Sequence, residues 1–208
     1  MGLRLLAALA LGLVALPVLA REWLFDVTLD GIGIGTYRYV LQESGDVRRV
    51  TADARFRVKL LLIDAYSYEH HAQEEWQGDC LTTLTSRTVE RGKTTTVSAR
   101  EDGDAFVIDG ARGRETLPRC PMTFAYWNPR ILQARQLINT QTGTPTPVTI
   151  TSLGNERIDV RGAEVESLRY RLETERNLID VWYSPRDEWL ALRTTTKAGG
   201  HVLSWRRR

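Results

Sequence analysis

A short acidic segment with two histidines holds the densest group of side chains that could transfer protons or bind a metal. Its members are Glu69, His70, His71, Glu74 and Glu75. On a helix, His71 and Glu74 would share a face, as an acid/base pair or two metal ligands require. On a strand, adjacent residues point to opposite sides, so His70 would join an apolar row and His71 would face away from it.

The alternation around this segment favours the strand, and with it one partly buried and one exposed histidine. The third histidine, His201, is distant in sequence, and neither a zinc-type Cys/His spacing nor a G-x-S-x-G motif occurs. The sequence therefore predicts no metal site and no cofactor, and it nominates no catalytic residue.

Two cysteines, Cys80 and Cys120, are the only ones in the chain. In an oxidising compartment an even pair predicts one disulfide, which for a loop of this length contributes roughly 3 to 4 kcal/mol. The alternative, a thiol nucleophile with a spare cysteine, requires a reduced thiolate and a neighbouring base.

The N-terminal residues 1–20 have the pattern of a secretory signal. Arg4 is their only charged residue, an apolar run covers 5–14, and small side chains precede a cleavage point near Ala20. We expect a single domain at residues 21–208, periplasmic or secreted. No later apolar stretch approaches the ~20 residues of a membrane helix, so we expect no integral membrane span in the mature chain. The balance of 28 basic and 26 acidic residues argues against nucleic acid as a partner.

Period-two alternation dominates the chain and predicts an all-β fold. In residues 52–60, Ala, Phe, Val and Leu alternate with Asp, Arg and Lys, and the register continues through Tyr66 and Tyr68 to Trp76 after a bend near 60–64. Further strands are predicted at 23–29, 36–42, 81–90, 94–99, 105–108, 148–153, 158–160, 178–183, 189–196 and 202–205. Turn dipeptides such as Asp30-Gly31 separate them. We expect a curved antiparallel sheet that forms a barrel or a sandwich, with the choice left open.

Three local features qualify this pattern. The glycines at 31, 33 and 35 superficially resemble a phosphate loop, but they join two predicted strands, which favours a hairpin with close backbone packing. Asn128 as N-cap and Pro129 predict one short helix near residues 129–138, and residues 139–147 are expected to form a surface connection. The aromatic segment before this helix could line a pocket or plug the core.

Several motifs together resemble a family of exported bacterial proteins known only as a domain of unknown function. They are Phe25-Asp26-Val27, Leu29-Asp30-Gly31, Ile34-Gly35, Glu74-Glu75-Trp76, Gly78, Cys80, Leu81, Phe124-Ala125-Tyr126-Trp127-Asn128-Pro129, residues 137–143, Trp182-Tyr183, Trp189, Leu192, Gly200, Leu203 and Trp205. The resemblance covers nearly the whole mature chain. It implies a curved antiparallel sheet and assigns no activity or catalytic residue.

The leading functional hypothesis is a non-enzymatic binding or carrier module for an apolar or amphipathic ligand, such as an apolar small molecule or a lipid. We expect the ligand to contact four aromatic side chains, Tyr66, Tyr68, Tyr126 and Trp127. The alternatives are an envelope enzyme that uses dispersed carboxylates with His70 or His71, and an assembly protein that pairs through a sheet edge. The ligand, the oligomeric state and the strand order stay open.

Overall fold

The computed structural model describes residues 19–60 and 63–208, with the backbone alone at 59, 60 and 63–65. Within these residues the chain forms fifteen β-strands and one turn of 3₁₀ helix. The strands are β1 Leu19–Leu29, β2 Ile32–Ser44, β3 Val47–Leu60, β4 Ile63–Gln77, β5 Cys80–Glu90, β6 Lys93–Asp102, β7 Ala105–Gly110, β8 Gly113–Pro118, β9 Gln136–Asn139, β10 Thr144–Pro147, β11 Thr149–Val160, β12 Ala163–Glu173, β13 Asn177–Tyr183, β14 Trp189–Thr196 and β15 Val202–Arg207.

Thirteen of the strands form one antiparallel sheet in the order β11-β12-β13-β14-β15-β1-β2-β3-β4-β5-β6-β7-β8. Every pair of neighbours is consecutive along the chain except β15 and β1, which join the two ends of the domain with Val27 opposite Trp205. The remaining two strands, β9 and β10, form a separate hairpin. The predicted all-β antiparallel fold is confirmed.

The sheet curls around a common interior. Leu84 and Phe106, from one half of the sheet, and Leu172 and Val181, from the other half, belong to a single buried core. A flat sheet would hold these strands far apart, so the two halves must face each other. The edge strands β8 and β11 are not paired with each other among the described residues, which leaves an open, barrel-like sheet rather than two separate ones.

Strand β3 shows the predicted alternation. Ala52, Ala54 and Phe56 are buried, whereas Arg55 and Arg57 are exposed. The inward row continues along β4, as predicted. The predicted bend includes residues 61 and 62, which lie outside the described residues. On either side of them β3 and β4 pair as far as Leu60 opposite Ile63, as in a hairpin.

The glycine segment forms a hairpin with close backbone contact. Asp30 and Gly31 make the turn, and a Cβ atom at Gly35 would lie 1.9 Å from the carbonyl oxygen of Arg55. A Cβ atom at Gly33 would meet nothing within 4 Å. Only Gly35 is therefore required by packing against the neighbouring strand.

The helix is shorter than predicted. It begins as expected, with the side chain of Asn128 accepting a hydrogen bond from Arg130 N and Pro129 in the first turn, but it is a single 3₁₀ turn that ends at Gln133. The residues predicted as its second half form β9 instead, which pairs with β10, and Leu137 and Ile138 are buried in the main core. The segment 139–147, expected as a surface connection, forms the turn of this hairpin and strand β10, and among its residues only Gly143 is buried.

The disulfide prediction is confirmed, because Cys80 and Cys120 are bonded. Of the predicted signal sequence, residues 1–18 lie outside the described residues, and Leu19 and Ala20 begin β1. Across residues 19–60 and 63–208 there is no helix long and apolar enough to cross a membrane.

Candidate ligand-binding site

Residues 119–148, which connect β8 to β11, pass through the inside of the curled sheet, and we call this segment the plug. Its side chains Ile131 and Leu137 are completely buried in the main core. The turn between β9 and β10 lies against the sheet, where Ala111 N donates to the carbonyl oxygen of Thr142 at 2.8 Å. Thr142 also approaches Gly110 so closely that a Cβ there would lie 2.5 Å from its oxygen.

An aromatic cluster forms the centre of the main core. The ring of Trp189, which is completely buried, lies 4.6 Å from Phe25, 5.8 Å from Tyr39 and 5.5 Å from Tyr126, measured between ring centres. Phe25 and Tyr39 come from β1 and β2, whereas Tyr126 comes from the plug. The plug thus completes the main core rather than resting on its surface.

A second, smaller apolar cluster lies on the inner face where β1 to β4 meet β15. Its buried members are Val27, Ile34, Ala54, Phe56 and Tyr68, and its partly buried members are Leu29, Tyr37, Val58, Tyr66 and Trp205. Among the described residues no side chain of the plug belongs to it. We therefore call it the plug-free cluster, and its outer members are only partly buried.

Two of the four predicted ligand contacts belong to the plug-free cluster. Tyr68 stacks on Phe56 with ring centres 5.1 Å apart and is almost completely buried. Tyr66 is half-buried, its hydroxyl donates to Glu90 at 3.2 Å, and the Arg91 guanidinium lies 5.5 Å from its ring centre. Burial and the Glu90 carboxylate raise the pKa of Tyr66 to about 12. Both tyrosines therefore act as neutral, largely apolar surfaces with hydroxyl groups.

The other two predicted contacts belong to the plug. Trp127 packs edge to face against Trp76 with ring centres 5.6 Å apart, and it is almost completely buried. Tyr126 is partly buried against Trp189. The structure therefore does not gather the four residues in one place. Tyr37 links the two regions, since it packs against both the main core and the plug-free cluster.

Glu74 is a buried carboxyl group that the sequence reasoning left unassigned. Only 4% of it is exposed, and Trp76 Nε1 donates to its Oε2 at 2.9 Å. Burial raises the pKa of Glu74 from 4.5 to about 7, because the Trp76 hydrogen bond only partly compensates for the loss of water. The predicted β4 register contained the signal, since it places Glu74 in the same inward row as Tyr68.

The two adjacent histidines separate as the strand register predicts. His70 is buried, with Nδ1 at 2.9 Å from Thr88 Oγ1, and burial lowers its pKa to about 4. His71 is exposed and pairs with Asp53 at 2.7 Å on the outer face. Within the described residues neither histidine meets a carboxylate inside a pocket, so nothing here favours the envelope-enzyme alternative.

An ion cluster on the outer face of β12 to β14 was also missed. Arg171, Arg169 and Arg193 all donate to Asp180, at 2.7 to 3.2 Å. Burial opposes ionisation of Asp180, but the three hydrogen bonds outweigh it and lower its pKa to about 2. Trp182 lies close to two of the guanidiniums, at 5.1 and 5.2 Å. The three arginines share Asp180, and Arg169 also pairs with Glu156, so the ion pairs link β11 to β14 across the outer face.

Comparison with known proteins assigns the chain to a family. Residues 25–207 match the model of a family described as a domain of unknown function, DUF6134. The chain belongs to this family. The match extends from β1 to the end of β15 and therefore includes the plug and both clusters. The comparison with curated proteins gave no match.

A solved structure supports the same fold. It is the crystal structure of a β-barrel-like protein of another domain of unknown function, DUF1849, from Brucella abortus. The two chains superpose with a TM-score of 0.67 at 10% sequence identity, over 93% of this chain and 96% of that one. At this level of identity the similarity establishes the barrel-like architecture and carries no information on activity.

Proposed function

We propose that the chain is an exported, periplasmic binding or carrier module that holds an apolar or amphipathic ligand, such as a lipid, at the plug-free cluster. The observation that carries this proposal is the set of five partly buried apolar side chains that pack against five buried ones on the inner face. Elsewhere the interior is filled by the plug. Inward apolar surface without such a cover is typical of a ligand site.

Charged side chains beside the plug-free cluster favour an amphipathic ligand. Glu90 and Arg91 contact Tyr66, at one side of the cluster. Asp30 follows Leu29 directly and pairs with His201 at 2.8 Å, and both groups are exposed. An acyl chain would pack on the apolar side chains, while its polar head would meet these charges and water.

Export is supported by the pattern of residues 1–20 and by the disulfide, since disulfides persist mainly in oxidising compartments. Fractionation of cells that express the full chain, followed by N-terminal sequencing, tests this part. We expect periplasmic protein that begins at Arg21. Recovery of an uncleaved chain in the cytoplasm would refute the export proposal.

Ligand binding is tested first by extracting the purified protein and identifying lipid by mass spectrometry. Binding of the apolar fluorophore N-phenyl-1-naphthylamine then locates the site. The variants Tyr66→Ala and Trp205→Ala each remove partly buried apolar surface, and we expect about fivefold weaker binding, equivalent to roughly 1 kcal/mol.

The matched controls are Ser67→Ala and Ser204→Ala, which change the neighbouring residues on the opposite face of the same strands. We expect both controls to bind the fluorophore like the unmodified protein. No co-purified lipid, together with equal binding by all four variants, would refute a ligand site at the plug-free cluster.

A second candidate function is assembly through a sheet edge, and the edge strand β11 favours it. Most residues of β11 are exposed, and within the described part of the chain the strand pairs only with β12. An unpaired edge of this length can accept another strand. Light scattering of the purified protein tests this candidate, and a strictly monomeric species at all concentrations would count against it.

A further inference from the structure

An open groove of about 660 Å³ lies beside the disulfide, where the plug leaves β8. Both cysteines line it, together with Arg119 and Arg130. Cys120 is exposed, whereas Cys80 is half-buried at the start of β5. An approaching molecule can therefore reach one sulfur-bearing residue more easily than the other, and exposed disulfides are the ones that exchange most readily.

The groove carries two arginines, each paired with a carboxylate, and the Oε1 atom of Glu101 also lies 3.4 Å from Cys80 Sγ. Arg119 pairs with Glu101 at 3.4 Å, and Arg130 pairs with Asp79 at 2.9 Å. In each pair the cation is the more exposed partner, with side-chain exposures of 50% against 25% and 62% against 36%. The guanidinium groups are thus presented to solvent, where they would attract a thiolate.

The backbone of Cys120 has an unfavourable conformation. Its φ angle of 57° lies in the left-handed region, which residues with a Cβ rarely adopt. Cys120 is the second residue of the plug, so the disulfide holds the start of the plug to β5 in this conformation. Cleavage of the bond would allow this residue to relax.

We propose that Cys120 is a thiol-exchange site for an anionic small thiol. The attacking thiolate forms a new sulfur–sulfur bond with Cys120, the Cys80–Cys120 bond breaks, and Cys80 leaves as a thiolate that takes up a proton. No net oxidation occurs in this step, because one disulfide replaces another. The inference is independent of the ligand-binding proposal, since the groove and the plug-free cluster share no residue.

Glutathione is the probe for the test. The native, oxidised protein is incubated with glutathione, free thiols are trapped with iodoacetamide, and the modified peptides are identified by mass spectrometry. We expect glutathione on Cys120 and the alkyl group on Cys80, about tenfold in excess over the reverse arrangement. Predominant glutathionylation of Cys80 would overturn the proposal. So would exchange that requires a denaturant.

Charge variants test the role of the groove. Arg119→Gln and Arg130→Gln should each slow the exchange roughly two- to fivefold at low ionic strength, with the difference disappearing at high salt. Arg114→Gln changes an exposed arginine within β8 as the matched control and should leave the rate unchanged. Equal rates for all three variants would overturn attraction of the thiolate by the groove.

Discussion

Replacing Glu74 by glutamine should make the protein more stable at alkaline pH. Burial raises the pKa of this carboxyl group from 4.5 to about 7, so the folded protein holds its proton more tightly than the unfolded chain does. The difference corresponds to about 3 kcal/mol. Glutamine keeps an oxygen that can accept the Trp76 Nε1 hydrogen bond, but it carries no proton to lose.

The direction of the pH dependence follows from the proton count. Between pH 4.5 and about 7 the unfolded chain has lost the Glu74 proton while the folded protein retains it, so the free energy of unfolding falls as pH rises. Above pH 7 the contribution is fully lost. Relative to the unmodified protein, Glu74→Gln should gain less than about 1 kcal/mol at pH 5 and about 3 kcal/mol at pH 8.

Urea unfolding followed by tryptophan fluorescence at pH 5 and pH 8 measures this difference. The comparison of two proteins at each pH cancels every group that titrates equally in both. For a domain of this size the gain at pH 8 corresponds to a melting temperature about 6 to 12 °C higher. Glu75→Gln, on the opposite face of β4, is the matched control and should track the unmodified protein. Equal stability of Glu74→Gln and unmodified protein at both pH values would refute the reasoning.

Three further predictions concern stability. Gly35→Ala should lower the free energy of unfolding by about 1 to 3 kcal/mol in urea, because its Cβ would overlap the carbonyl oxygen of Arg55. Gly33→Ala, where a Cβ meets nothing within 4 Å, should change this free energy by less than about 1 kcal/mol. Burial lowers the pKa of His70 from 6.5 to about 4. Acidification from pH 6.5 to pH 4 should therefore lower the free energy of unfolding of the unmodified protein by about 3 kcal/mol. The variant His70→Gln should not show this loss in urea unfolding. Replacing Cys80 and Cys120 together by alanine should lower the free energy of unfolding by about 4 kcal/mol, which appears as a lower urea midpoint. An unchanged midpoint would contradict this prediction.

The sheet was predictable because its strands carry a local signal. In β3, Ala54 and Phe56 alternate with Arg55 and Arg57, and this period of two directly fixes the face of each residue. The same register placed His70 inside and His71 outside. That register runs on to Trp76 and so also places Glu74, a carboxyl group, on the inward face.

The plug was not predictable, because its burial depends on contacts remote in sequence. Leu137 and Ile138 follow a helix signal at Asn128 and precede a run rich in Gly and Pro, a context typical of a short helix and a surface loop. Their complete burial arises only when the curled sheet surrounds them. Trp127 lies in the core, which is one of the two positions that the sequence left open for the aromatic segment.

The main core and the plug-free cluster should contribute differently, the first to stability and the second to the proposed binding. The plug places large rings and aliphatic side chains in the main core, where truncation leaves a cavity and costs several kcal/mol. The outer members of the plug-free cluster are only partly buried, so shortening them should cost little stability while removing surface for a ligand.

The variants Trp189→Ala and Trp205→Ala test this difference, because each makes the same chemical change in one of the two regions. The first should lower the free energy of unfolding by about 3 to 5 kcal/mol, and the second should weaken fluorophore binding with a much smaller loss of stability. Equal destabilisation by both would mean that the plug-free cluster is ordinary core.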